Sequence, residues 1–257
     1  MEIKDKVIVV TGGASGIGEA LCGRFHREGA SGIAVADLNE EDAFRVATEV
    51  HGFAMKVDVS VEGEMVALVE ETQKRYGHID LFCSNAGIFF LDKEGSTSVS
   101  NEDWQRIWEV NVMAHVYAAR AALPGMIERK TGHFLITASA AGLLSQIGSA
   151  PYSVTKHAAV GFAEALMIEH GHQGIGVSAL CPQAVRTGMT DSLGGPGVAG
   201  LDGMLEADAL TDSVVEGLSE NLFLILPHPE VRGYMQRKTD NYERWLSGMQ
   251  RLRNKFV

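Results

Sequence analysis

The sequence has no run that approaches the ~20 consecutive apolar residues a membrane-spanning helix needs. Nor does its start resemble a signal peptide, because Met1-Glu2-Ile3-Lys4-Asp5-Lys6 leads directly into a strand-like segment. The expected location is cytoplasmic, with no membrane partner. Cysteine is scarce. Cys22, Cys83 and Cys181 are far apart and form no Cys-x-x-Cys pair, which leaves little support for a disulfide framework. Nine histidines include no His-x-x-x-His, so no metal site is expected either. Positive charge is also lacking: a net charge of -11 argues against a nucleic-acid or anionic-membrane binder, because such partners are held by clustered Lys and Arg. There is no internal repeat and no low-complexity linker.

What the 257 residues do contain is a regular alternation, with enough apolar composition (46%) for a large core. Short runs rich in Val, Ile and Ala (7–10, 33–36, 53–57, 81–84, 133–137, 177–180 and 222–226) alternate with segments of helical length and composition (16–28, 40–51, 61–76, 101–129, 152–173 and 211–220). This pattern predicts an α/β fold: one Rossmann-type domain over 1–257, with a doubly wound, seven-stranded parallel sheet covered by helices on both faces. Such a sheet binds its ligand beyond the carboxyl ends of the strands, where strand order reverses.

Three features fall at that end. Thr11-Gly12-Gly13-Ala14-Ser15-Gly16-Ile17-Gly18 lies between the first strand and the first helix, where glycines permit a tight turn and close approach of backbone to a pyrophosphate. The turn alone is also compatible with an ordinary glycine loop, and no Gly-Lys-Ser/Thr follows to make it a Walker A motif. Asp37 ends the second strand 19 residues after Gly18, placed to accept from an adenosine ribose or, alternatively, to cap a helix. Its charge would repel a 2′-phosphate, which favours NAD over NADP. Tyr152 and Lys156 are four residues apart, hence on one helix face, where an ammonium is expected to favour the ionised phenol.

With these residues in place, the chain resembles the short-chain dehydrogenase/reductase family over roughly residues 5–190. The likeness rests on Thr11-Gly12-x-x-x-Gly16-x-Gly18, Asp58-Val59, Asn85-Ala86-Gly87, Asn111, Ser139 and Tyr152-x-x-x-Lys156. The resemblance implies that Tyr152 exchanges a proton with the substrate oxygen while Ser139 hydrogen-bonds it. Lys156 is implied to lower the Tyr152 pKa and bind the nicotinamide ribose, and Asn111 to hold a water linking Lys156 to solvent. For NAD it implies contacts from Gly12, Ser15, Gly16, Ile17 and Gly18, from Asp37, and from Asp58 and Val59 beside the adenine. Asn85, Ala86 and Gly87 would line the cleft, and Pro182, Val185 and Thr187 would lie near the nicotinamide.

Two departures accompany the likeness. Pro182 is followed by Gln183, which places a polar side chain near the substrate, and the family's usual C-terminal segment is replaced by Pro227-His228-Pro229 and a helical extension over 229–256. Tyr242, Trp245, Leu246, Met249, Leu252 and Phe256 recur there at helical spacing, a face for packing on the body or on another subunit. Residues 232–257 carry seven Lys or Arg against two acids, a solvated face or a contact with an acidic neighbour. A stretch rich in Gly, Met and Leu at 187–210 reads as a substrate lid or as a surface insertion.

The expected activity is NAD-dependent interconversion of a hydrophobic secondary alcohol and its ketone, in a homodimer or homotetramer. The expected apolar pocket draws on Phe89, Phe90, Leu143, Leu144, Ile147, Met189, Leu193 and Met204. The alternatives are a carbonyl or hydroxyacyl reductase, or an NAD-binding sensor or scaffold without turnover.

Overall fold

The computed structural model describes residues 1–92, 94–192, 194–195 and 197–256. Its main sheet has seven parallel strands: β1 (Val7–Thr11), β2 (Gly32–Asp37), β3 (Phe53–Lys56), β4 (Leu81–Ser84), β5 (Gly132–Thr137), β6 (Ile175–Leu180) and β9 (Leu224–Ile225), in the order β3-β2-β1-β4-β5-β6-β9. A separate two-residue pairing joins β7 (Val185–Arg186) to β8 (Leu205–Glu206). The helices are α1 (Gly16–Arg27), α2 (Glu40–Glu49), α3 (Glu62–Tyr76), α4 (Asn101–Trp108), α5 (Ala114–Arg129), α6 (Ala150–His170), α7 (Gly188–Ser192), α8 (Ala207–Ser219), α9 (Glu230–Asp240) and α10 (Tyr242–Phe256).

The strands are largely apolar because both faces are covered. Alternate residues serve opposite layers: Val9, Ala34, Phe82 and Phe134 meet α3, α5 and α6, while Ile8, Val10, Ile33 and Leu135 meet α1, α2 and α8. On the first face, Ala114, Ala118 and Ala122 of α5 and Ala159 and Ala163 of α6 are buried, and such small side chains let the helices lie close to the sheet. Strand order reverses at β1, which pairs with both β2 and β4. The turns after β1 and β4 are therefore neighbours at the ligand end.

Several boundaries depart from the sequence reading. The expected helix over 101–129 is three segments, because a π-helical turn (Glu109–Met113) separates α4 from α5. The helix expected from 152 begins two residues earlier, where Ser149 caps it by accepting from the Tyr152 N–H (3.3 Å) and Pro151 fits the first turn. The strand expected over 222–226 is only two residues long. The expected lid contains α7, a 3₁₀ turn (Gly197–Gly200) and β8, and its last residues already belong to α8. The extension expected over 229–256 is two helices, α9 and α10, with Asn241 extended between them.

Candidate active site

A cavity of about 750 Å³ opens along the carboxyl ends of the central strands. One end is the glycine turn, where Gly12, Ser15, Gly16 and Ile17 line the cavity. Gly12 (φ +64°) and Gly16 (φ +54°) are left-handed, a conformation in which a side chain is strained. A Cβ on Gly12 would lie 2.9 Å from the Ala86 backbone, and one on Gly16 would lie 3.0 Å from the Thr187 side chain. Gly18 does not line the cavity. Its missing Cβ would sit 1.9 Å from the Gly12 carbonyl oxygen, so this glycine lets α1 pack against its own turn. No side chain caps the α1 N-terminus, which leaves its first N–H groups for an anion.

Asp37 and Leu38 line the wall beyond the turn. The Asp37 carboxylate accepts from the Ala14 N–H (3.1 Å) and the Asn39 N–H (3.0 Å), which aims it across the end of β2. Asp58 and Val59 follow. Burial works to raise the Asp58 pKa, but the Ser60 hydroxyl and amide and the Arg106 guanidinium outweigh it and hold the carboxyl below its usual range. Arg106, which the sequence did not single out, reaches this wall from α4, 3.4 Å from Asp58. A side chain so distant in sequence carries no local signal of the role.

Asn85, Ala86 and Gly87 line the middle of the cavity. The Asn85 side chain is committed to the scaffold: Nδ2 donates to the Thr11 carbonyl (3.0 Å), and Oδ1 accepts from the Thr137 hydroxyl (3.0 Å). It thereby fastens the ends of β1, β4 and β5.

At the far end Ser139, Tyr152 and Lys156 come together with Pro182, Val185 and Thr187. Ser139 follows β5, and Tyr152 and Lys156 lie one turn apart on α6. Lys156 Nζ donates to the Thr137 carbonyl (2.9 Å) and lies 5.6 Å from the centre of the Tyr152 ring. Burial pushes Lys156 down to about 8. Tyr152 departs from the sequence expectation: burial raises its pKa, with the Ser139 hydroxyl working in the lowering direction. Desolvation of the phenolate outweighs the favourable charge of the neighbouring ammonium. Asn111 does not line the cavity but sits behind it, fully buried in the π turn. Its Oδ1 accepts from the Ile88 N–H (2.8 Å), and its Nδ2 donates to the Ile88 carbonyl (3.0 Å) and to Thr155 Oγ1 (3.2 Å).

Of the expected pocket residues, Phe89, Ile147 and Met189 line the cavity, and the Phe89 ring lies 4.8 Å from that of Tyr152. Phe90, Leu143, Leu144 and Met204 do not, and Leu193 lies outside the described residues. The backbone carbonyls of Phe90, Leu143 and Leu144 instead accept from Ser149 Oγ and Lys238 Nζ. Polar groups occupy part of the wall: Asp92, Gln146 and Gln183 line it as well. The expectation for Gln183 holds in position.

Gln183 Nε2 also donates to Asp202 Oδ2 (3.1 Å), and the Tyr234 hydroxyl of α9 donates to the other oxygen of that carboxylate (2.8 Å). Lys238, one turn further on, donates to the carbonyls of Leu143 (2.8 Å) and Leu144 (3.0 Å). The ammonium also lies 5.0 Å from the centre of the Trp245 ring on α10. The C-terminal extension is therefore fastened both to the segment after β7 and to the loop after Ser139. Tyr242 and Leu246 of α10 remain about half exposed, and the Phe256 side chain lies outside the described residues.

Comparison with known proteins agrees with this geometry. The model of the "short chain dehydrogenase" family matches residues 6–195. A 1-deoxy-11-beta-hydroxypentalenate dehydrogenase of Streptomyces exfoliatus is 33% identical over 96% of the chain and 92% of that protein. A meso-2,3-butanediol dehydrogenase of Serratia marcescens is 34% identical over 74% of the chain and 76% of its own length. A solved short chain dehydrogenase/reductase from Burkholderia phymatum, in complex with NAD, superposes with a TM-score of 0.85 at 27% identity, covering 95% of this chain and 96% of that one. Sheet order, glycine turn and the gathering of Ser139, Tyr152 and Lys156 coincide with a family match across most of the sequence, and the chain belongs to the short-chain dehydrogenase family of oxidoreductases.

Proposed function

We propose that this protein is an NAD-dependent dehydrogenase that interconverts a secondary alcohol and a ketone on a largely hydrophobic substrate. The observation that carries the reading is the distribution of chemistry along one cavity, with Asp37 and the uncapped α1 N-terminus at one end and Ser139, Tyr152 and Lys156 at the other. The left-handed glycines and the free N–H groups fit a pyrophosphate, and the Asp37 carboxylate fits a ribose diol. A 2′-phosphate would meet that carboxylate, and Arg106, which lines the same wall, is turned to Ser60 (2.9 Å) and Asp58 (3.4 Å). Arg45 is nearby, 3.3 Å from the Ala14 carbonyl, but Glu19 and Glu49 engage its guanidinium. When bound, the nicotinamide supplies the hydride acceptor or donor.

The chain's own groups handle the proton. The Ser139 hydroxyl orients the substrate oxygen, and the Tyr152 phenol takes its proton during oxidation or gives one during reduction. Lys156, pushed down by burial to about 8, is placed to offset the charge of the Tyr152 phenolate. Phe89 and Ile147 exclude water from the reacting carbon. Names of relatives support the class: one is a dehydrogenase of a hydroxypentalenate and another of a butanediol. A homo-oligomer is the expected assembly, symmetric closure being the usual outcome for soluble enzymes.

The test is the absorbance of reduced nicotinamide with NAD or NADP and a panel of secondary alcohols, for the intact protein and Tyr152→Phe. NAD-linked turnover that disappears in the variant is expected. Tight NAD binding without reaction of any alcohol or ketone would overturn the reading.

A further inference from the structure

Behind the candidate site lies a buried polar pair that the reaction described above leaves unused. Ser84 is the last residue of β4, immediately before Asn85-Ala86-Gly87, and it is 2% exposed. His115 is on the first turn of α5, one helical turn beyond Asn111, and is 1% exposed. Ser84 Oγ and His115 Nδ1 are joined by a hydrogen bond of 2.7 Å, and His115 Nε2 is buried with no partner among the described residues. An imidazole in such a place is an expensive filler, since an apolar side chain of similar size leaves no polar atom unsatisfied.

The surroundings indicate what the pair controls. The π-helical turn at 109–113 interrupts the regular hydrogen bonding of α4 and α5, a device found often at functional sites. Its Asn111 bonds Ile88 on one side and Thr155, the residue before Lys156, on the other. Gly87 is wedged against the same groups: a Cβ there would lie 3.3 Å from Asn111 Oδ1 and 3.4 Å from Lys156 Nζ. Ser84 and His115 thus fasten the two segments, β4 with its turn and the π turn with α5, between which Asn111 and Lys156 are held. Burial, followed by the charge of Lys156, keeps His115 down to about 3, so it joins this cluster as a neutral group and adds no charge to compete with the ammonium.

We propose that His115 is a positioning residue for proton exchange at Tyr152: through its bond to Ser84 it fixes the π turn, and with it Asn111 and Lys156, against the phenol. This rests on the reading of Tyr152 and Lys156 given above. The titratable groups that face this cluster are Tyr152 and Lys156 on α6, His115 on α5 and Cys181 after β6, the last pushed up to about 12 by burial. Among these, Lys156 is the one placed to change charge between pH 7 and 10, while burial holds the Tyr152 phenol above its ordinary value.

The test compares Ser84→Ala, His115→Leu and His115→Asn with the intact protein. The Asn amide occupies the place of Nδ1 and retains the bond to Ser84. Two readouts are taken: the pH profile of NAD-linked alcohol oxidation, and the ionisation of Tyr152 without substrate, read as the tyrosinate absorbance missing from Tyr152→Phe. In Ser84→Ala and His115→Leu the acid limb of kcat and the Tyr152 ionisation both move to higher pH by about one unit. The kcat at neutral pH falls about tenfold in both, while NAD affinity stays within about twofold. His115→Asn restores both towards the intact protein. An unmoved Tyr152 ionisation in Ser84→Ala and His115→Leu overturns the proposal, as does a fall in NAD affinity and melting temperature in step with kcat. If Tyr152→Phe itself retains full turnover, the functional reading fails instead, and the tyrosinate readout still reports on His115.

Discussion

Lys156 Nζ lies 5.6 Å from the centre of the Tyr152 ring while donating to the Thr137 carbonyl at the end of β5. The amine is thus anchored to the sheet and does not depend on the phenol for its position. Replacing Lys156 by Met removes the charge but keeps the volume, so the phenol is left with burial and the Ser139 hydroxyl. The expected outcome is a fall in kcat of at least about 100-fold and an acid limb displaced to higher pH, measured by steady-state oxidation between pH 6 and 10. The sign follows from the chemistry: oxidation needs the base form of Tyr152, so activity rises with pH, and any change that raises the phenol pKa moves that rise upward.

On the function proposed here, Asp37 sets the choice between dinucleotides. Asp37→Ser is expected to weaken NAD by about tenfold, the cost of a charged hydrogen bond. Adding Leu38→Arg gives a 2′-phosphate a cation and brings NADP affinity to or above that for NAD. Protein fluorescence titrated with each oxidised cofactor gives both constants without a substrate.

Two glycines separate folding from chemistry. Gly18→Ala puts a methyl 1.9 Å from a backbone oxygen that has nowhere to move, and it is expected to abolish NAD binding and lower the melting temperature. Gly87→Ala meets only two side-chain ends, at 3.3 and 3.4 Å. That variant is expected to fold normally with kcat reduced and NAD affinity nearly unchanged, which calorimetry and steady-state kinetics together would establish.

The link from Tyr234 to Asp202 predicts a substrate effect without a cofactor effect. Tyr234→Phe loses one hydrogen bond worth about 1 kcal/mol, so KM for the alcohol is expected to rise about fivefold with the NAD constant unchanged. The same experiment with Asp202→Ala, which releases Gln183 as well, is expected to show a larger rise.

His133 gives a prediction for stability. It is buried on β5 and bonded to Ser178 Oγ (2.9 Å), and burial pushes its pKa down to about 4. The unfolded chain binds a proton there near pH 6.5 and the native protein does not, so stability falls as pH drops from about 6.5 towards 4. At pH 5 the loss is about 2 kcal/mol. His133→Gln keeps a hydrogen-bonding group without the titration. Denaturant unfolding at pH 7 and pH 5 is expected to differ by about that much less in the variant.

The sheet was legible because burial on both faces demands continuous Val, Ile and Ala runs, which local composition displays. The residues that gather along the cavity were legible wherever a residue type is forced by backbone or chemistry, as at Gly12, Gly16, Asp37 and Tyr152. What escaped has no local mark. A π turn inserts one residue into a helix without changing composition, so 101–129 reads as one helix. β7 and β8 are two residues each, too short to show alternation. Asp92 and Gln146 read as loop residues, and only the fold brings them to the cavity wall. The Tyr152 shift was missed because spacing reports which groups are near and not how thoroughly water has left them.

The fastening of α9 to Asp202 and to the carbonyls of Leu143 and Leu144 has a consequence for the order in which the site comes into being. The glycine turn and the carboxylate proposed for the ribose lie between residues 12 and 37, whereas the braces of the reacting end, Tyr234 and Lys238, follow them by about 200 residues. A nascent or truncated chain lacking α9 would retain the groups for a dinucleotide while its alcohol-binding walls were still unbraced, so recognition of substrate matures after recognition of cofactor.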